Sequence, residues 1–156
     1  MTMKQLSVFV ENKPGTLAEI TGILGANDID MCALSVADTE RYGILRLIVN
    51  NPQKAEDALK AAGERLKEYE NKKLVHNKVS LTDVLAIAVS HKPGGLSEAL
   101  KYVAQAGIAV EYMYAFVSPK ADTAYVILRV QDNQKAILAL QQGGILVIRG
   151  EEVYGK

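Results

Sequence analysis

Asn12-Lys13-Pro14-Gly15-Thr16-Leu17 recurs 79 residues on as His91-Lys92-Pro93-Gly94-Gly95-Leu96, and this repetition decides the fold. The same register carries Leu6 onto Leu85, Val10 onto Val89, Glu19 onto Glu98 and Ile29 onto Ile108. After a two-residue insertion the match resumes, and Leu47, Val49, Gln53, Lys54, Ala55, Ala58, Leu59 and Gly63 meet Leu128, Val130, Gln134, Lys135, Ala136, Ala139, Leu140 and Gly144. Self-similarity of this extent means one supersecondary unit built twice. By length alone, 156 residues suit one ordinary domain or two small ones. The repeat divides them into a first unit over 1–78 and a second over 79–156.

Outward from the turn, the periodicities change in the same order in both units. Leu6, Val8 and Val10 alternate with Ser7, Phe9 and Glu11, the period of a half-buried strand, and 84–90 repeats it with less polarity. Lys13-Pro14-Gly15 signals a turn. Thr16 followed by Glu19 reads as a capping box opening a helix with Leu17, Ile20, Ile23 and Leu24 on one face; the copy uses Leu96, Ala99, Leu100 and Val103. Asn27 and Gly107 mark the helix ends, and strands follow over 31–37 and 110–117. Residues 38–41 and 118–122 turn the chain back into strands at 44–49 and 124–130. Pro52 at a first helical position and Asp132-Asn133 as a cap begin second helices carrying Ala55, Ala58 and Leu59, and Ala136, Ala139 and Leu140.

Closing strands at 78–82 and 145–149 complete βαββαβ twice. The fold class is therefore α+β: two ferredoxin-like units, each an antiparallel sheet with its helices on one face. No Gly or Pro interrupts 78–90, so the two units are expected to be stiffly joined. The repeat breaks over 64–78, where eight of fifteen residues are charged; this reads as a charged extension of the second helix followed by a loop.

Composition narrows the function classes. The chain is 49% hydrophobic and 23% charged, which suits a packed globular core and not a disordered chain. Eighteen Lys and Arg balance eighteen Asp and Glu, leaving no basic footprint for nucleic acid or an anionic membrane. The segment 41–46, Arg-Tyr-Gly-Ile-Leu-Arg, lacks the stacking aromatics that single-strand RNA binders on this architecture use. The single Cys32 and the absence of CxxC argue against disulfides, zinc and iron-sulfur sites, and a lone thiol at a strand start reads as a small apolar residue. With no signal-like or membrane-length apolar run, a cytoplasmic protein is expected. Nucleophile-elbow, phosphate-loop, dinucleotide and metalloprotease motifs are missing, and His76 and His91 are the only histidines. No catalytic residue, metal or cofactor is expected, and no enzyme.

What remains is the duplicated turn. Proline fixes φ before a glycine that lets the backbone approach a ligand closely, and the open N–H groups of a helix start suit a small anion such as a carboxylate. Proline and glycine also serve simply to join a strand to a helix, so the turn alone leaves both readings open.

At this turn the sequence resembles the ACT domain family, whose small βαββαβ modules bind amino acids and regulate metabolism and open their first helix with [ND]-K-P-G-x-L. The resemblance spans nearly the whole chain, with 8–17 and 27–31 in the first unit and 92–96 and 106–116 in the second. Stand-alone tandem ACT proteins look most similar. The resemblance implies a free amino acid held at an interface between ACT units, by main chain and short side chains at Asn12, Gly15, Thr16 and Leu17 and at His91, Gly94, Gly95 and Leu96. Asp30 stands where the family often has Asn, and would pair with an α-ammonium group; Ala109 in the copy offers nothing comparable, so the two sites are expected to be unequal. Lys13 and Lys92 either add positive charge near a carboxylate or are solvated surface lysines.

Tyr112 and Tyr114 flank Met113 and so share one sheet face, as core if it is the helix side and as interface or ligand contacts if it is the open side. Residues 44–49 and 125–130 are largely apolar on both faces, which points to an association surface and a homodimer through sheet or ACT–ACT contacts. A second reading makes the chain a regulatory subunit acting in trans on an amino-acid biosynthetic enzyme, similar to an acetolactate synthase small subunit in length and N-terminal motif.

Overall fold

The computed structural model describes residues 1–38, 42–70, 79–116, 118 and 120–154. Its seven strands and five helices form two compact units, Lys4–Thr82 and Asp83–Lys156 with Met1–Met3.

In the first unit the alternating segment forms β1 (Met3–Glu11), followed by α1 (Thr16–Ala26), β2 (Met31–Asp38), β3 (Tyr42–Val49) and α2 (Pro52–Glu70). β3 pairs antiparallel with both β1 and β2, and a row of Leu6, Leu47 and Leu34 crosses the sheet in register. Leu6, Val8 and Val10 meet Leu45, Leu47 and Val49 on the face that α1 and α2 cover with Ile20, Leu24, Ala55 and Leu59, and these form the first core. Each helix buries an apolar stripe against the sheet, and burying it fixes both helices to one side.

Next comes β4 (Val79–Ser90), a single strand of twelve residues that neighbours β1 and then serves as the first strand of the second unit. The absence of turn residues noted in the sequence takes this form; Lys78, where the closing strand was expected to begin, lies outside the described residues. The second unit continues with α3 (Gly95–Gln105), β5 (Val110–Phe116), β6 (Thr123–Val130), α4 (Asn133–Gln142), β7 (Leu146–Ile148) and α5 (Gly150–Val153). β4 pairs antiparallel with β6 and β7, and β5 with β6, for an order of β7-β4-β6-β5. Leu85, Ile87, Val89, Val126, Leu128 and Val130 form the second core with Ala99, Val103, Ala136, Ile137 and Leu140.

The local signals explain most boundaries. Asp132 caps α4 by accepting the Lys135 N–H at 3.0 Å. Pro52 opens α2 as expected, where Asn51 accepts the Lys54 N–H at 3.1 Å. α1 stops at Asn27, and the following Asp28 has φ 55, the left-handed position that Gly107 (φ 68) fills in the copy.

Three expectations change. Thr16 does not cap α1, because Gly15 holds the cap position with φ 90 and no side chain bonds there, so the capping box is absent. Leu17 is 42% exposed and stands outside the core face it was assigned to. The last strand is shorter than 145–149, because the Arg149 N–H donates to Glu152 at 3.2 Å and the chain enters α5. α2 runs to Glu70, and the remainder of the charged segment, the turn residues 39–41 and His76 lie outside the described residues.

The register also answers the tyrosine question. Met113 is opposite the core residue Leu128, so Tyr112 and Tyr114, opposite Arg129 and Ile127, stand on the face away from the helices, both half-buried. On that face Phe116 packs against Tyr125 at 5.4 Å between ring centroids with a 59° tilt.

Asp132→Ala is expected to cost about 1 kcal/mol, and Leu128→Ala, at a fully buried site, about 2–5 kcal/mol. Urea unfolding of the purified variants checks both.

Candidate functional site

The two strand-to-helix turns share one backbone. In each, Pro occupies the second position and Gly the third of a four-residue turn closed by a hydrogen bond, from Thr16 N–H to Lys13 O at 3.3 Å and from Gly95 N–H to Lys92 O at 3.0 Å. Gly15 (φ 90, ψ −17) and Gly94 (φ 87, ψ −13) have the left-handed geometry that a type II turn demands at that position. The first helical bonds run from Glu19 N–H to Gly15 O and from Glu98 N–H to Gly94 O, at 2.9 and 3.0 Å. No side-chain cap hydrogen bond forms at either helix start. A glycine in the cap position thus gives the turn its shape and leaves helix-start N–H groups open, as a Ser or Asp cap would not.

The copies then diverge in their side chains. In the first, Lys13 is held by the carboxylate of Glu11, whose hydrogen bond and charge keep its ammonium above the ordinary lysine range. Its N–H also bonds the Glu11 carbonyl at 2.9 Å. In the second, Ser90 replaces Glu11, so Lys92 has no carboxylate at that position. The turn is tied instead to the β5–β6 connection, where the His91 N–H donates to Asp122 O at 2.9 Å. A Cβ added at Gly95 would run into the Ser90 carbonyl oxygen, so only glycine fits, whereas the first unit has Thr16 there.

Beside the second turn is an open cleft of about 530 Å³. Gly94 and Gly95 line it together with Glu98, Lys101, Tyr102 and Gln105, one face of α3 at helical spacing, and with Ser90 and Lys92. Tyr102 is seated against Gly143 at the end of α4, where any Cβ would strike its ring. Glycines at 95 and 143 therefore make room on two sides. The corresponding α1 residues are Gly22, Ile23 and Ala26, which cannot supply the same groups. Glu98 and Lys101 are exposed, and no ion pair joins Lys92, Glu98 and Lys101 to one another or to another described residue.

Of the residues singled out from sequence, Gly94 and Gly95 line this cleft, while Leu96 packs against the second core. His91 lines a separate, mainly apolar cleft of about 540 Å³ with Ala115, Phe116 and Ala124. Asn12, Gly15 and Leu17 are exposed and Thr16 half-buried at the first turn. Asp30 is exposed, and its backbone exchanges hydrogen bonds with Asn50, whose N–H reaches Asp30 O and whose Oδ1 accepts the Asp30 N–H, both at 3.1 Å. Burial, with the charge of Asp30 added, pushes the half-buried Cys32 thiol up. Ser90, Glu98, Lys101, Tyr102, Gln105 and Asn50 were not foreseen; the signal for the α3 set was its polar spacing opposite Ala99 and Val103. Among the described residues no cluster of His, Cys, Asp and Glu could hold a metal, and no helix is long and apolar enough to cross a membrane.

The profile of the ACT domain pair matches residues 1–142. The chain belongs to the ACT domain pair family. Protein BT0572 from Bacteroides thetaiotaomicron is 34% identical over 100% of this chain and 98% of its own, with a TM-score of 0.84. The regulatory subunit of aspartate kinase from Thermus thermophilus, in its ligand-free form, shares the fold at 17% identity and a TM-score of 0.62, over 90% of this chain and 91% of that one. The corresponding Thermus flavus subunit does so at 14% identity and 0.58, over 90% and 92%. No curated protein matches the chain in sequence.

Gly94→Ala forces an alanine to φ 87 and is expected to cost about 1–2 kcal/mol. Gly95→Ala should destabilise as well, by displacing the Ser90 carbonyl. Gly22→Ala, on α1 with open space around it, should instead raise stability by up to about 1 kcal/mol. Thermal unfolding of the three variants tests this ordering.

Proposed function

We propose that this ACT domain pair is a non-enzymatic regulatory protein of the cytoplasm that binds a free amino acid at the head of α3. The observation that carries this reading is the second turn, where a left-handed glycine leaves helix-start amides open beside a cleft lined by charged groups of both signs that pair with no described residue. An α-amino acid presents a carboxylate and an ammonium a short distance apart. The amides and Lys92 suit the first, and Glu98 suits the second. The first turn has the same backbone, but its lysine is already neutralised by Glu11 and its helix lacks the polar wall. Ligand therefore binds the second turn in preference to the first.

Two copies of the chain associate in this proposal, and a second ACT unit closes the open side of the cleft, so that the ligand lies at an ACT–ACT interface. Support comes from the edge strands, where Leu34 on β2 and Met113 on β5 occupy equivalent repeat positions and are 55% and 42% exposed. Regulatory subunits of aspartate kinase from two Thermus species have this fold. That favours a regulator acting in trans on a separate enzyme of amino-acid metabolism, through a ligand-shifted equilibrium between association states.

A melting-temperature screen against the twenty amino acids tests the binding. A ligand at a hundredfold excess over its Kd contributes about 2.7 kcal/mol, so at least one amino acid at millimolar concentration should raise Tm by several degrees. No shift from any of them contradicts the proposal. Light scattering should give the mass of a dimer, and a monomer at high concentration would rule out the second copy.

A further inference from the structure

The cleft beside α3 contains more information than the presence of a binding turn. Its three charged side chains are two ammonium groups, Lys92 and Lys101, and one carboxylate, Glu98. None is compensated by another described residue. Ser90, Tyr102 and Gln105 complete a wall of hydrogen-bonding groups, with hydroxyls and an amide in place of hydrocarbon. A zwitterion with a neutral side chain would match Lys92 and Glu98 and leave Lys101 without a partner. A second carboxylate on the ligand removes that mismatch.

We infer that the second-unit cleft selects a dicarboxylic amino acid, aspartate or glutamate, whose two carboxylates meet Lys92 and Lys101 and whose ammonium meets Glu98. This inference rests on the proposed amino-acid binding and adds its specificity. The ligand's charges, two negative and one positive, are the inverse of the cleft's. The selectivity belongs to the second unit alone, because Gly22 stands in α1 where Lys101 stands in α3. Lys101 is one helical turn along from Glu98 and points to the same side of α3, so it reaches the ligand's distal end while the turn holds the proximal one.

The test is calorimetric titration of the full chain with aspartate, glutamate, asparagine, glutamine, leucine and lysine. Each amide is nearly isosteric with its acid and differs by the one charge in question. The acids should bind more tightly than their amides by up to about fivefold, the size expected of one partly exposed charge pair. That preference should shrink as salt rises from low to several hundred millimolar. Lys101→Met should remove the preference, so that each acid binds no more tightly than its amide, and Lys54→Met, on the exposed start of α2, should leave it intact. Far-ultraviolet circular dichroism of Lys101→Met establishes that it is folded, and Lys101→Arg, which keeps the charge, should retain the preference. Amides or leucine binding as tightly as the acids would overturn the inference and leave amino-acid binding standing. No binding by any of the six, together with a flat melting screen, would overturn both. A preference that survives Lys101→Met would also overturn it, by showing that the charge is read elsewhere.

Discussion

A left-handed glycine between a strand and a helix is the constraint from which most of each unit follows. Proline sets the second position of the turn and glycine the third, because only glycine occupies φ near 90° without strain. The turn delivers the chain from β1 or β4 to a helix whose apolar stripe then packs on the sheet it has just left. Reversal within four residues makes a two-layer unit of this small size possible. It also denies the helix a side-chain cap, and so leaves amides available at its head.

The same backbone built twice has been put to two uses. In the first unit Glu11 lies next to the turn and its charge is spent on Lys13. In the second, Ser90 removes that charge, Gly95 accepts the close approach of the Ser90 carbonyl, and Gly143 accepts the ring of Tyr102. Each exchange alone is minor. Together they let Ser90 and Tyr102 pack closely beside a cleft whose lining includes groups that the first unit lacks. A duplicated fold keeps its core by repeating apolar positions, as with Leu6 and Leu85 or Leu47 and Leu128, and is free to diverge at residues the core does not use.

The sequence revealed the architecture because its signals are local: period-two strands, period-3.6 helices, and a Lys-Pro-Gly turn that only a few conformations satisfy. What escaped it depended on contacts between distant residues or on competition between equivalent local patterns. Thr16 and Glu19 have the spacing of a real capping box, yet the glycine before them takes the cap. α5 is a single turn, too short to show a period. Tyr112 and Tyr114 could be assigned to a common face from spacing, but which face required the register of β5 on β6. Glu98, Lys101, Tyr102 and Gln105 form a polar helix face of the kind usually left to solvent. Tyr102 has its place because Gly143 carries no Cβ, and a missing Cβ leaves no periodic mark.

The central claim is that one of two equivalent turns binds ligand. Amide NMR of the isotopically labelled chain, titrated with the amino acid that raises Tm most, tests it most directly. The account predicts saturable shifts concentrated on residues 90–105, strongest at Gly94, Gly95 and Leu96, with residues 11–26 nearly unchanged. Shifts concentrated on 11–26, or spread equally over both turns, would contradict it.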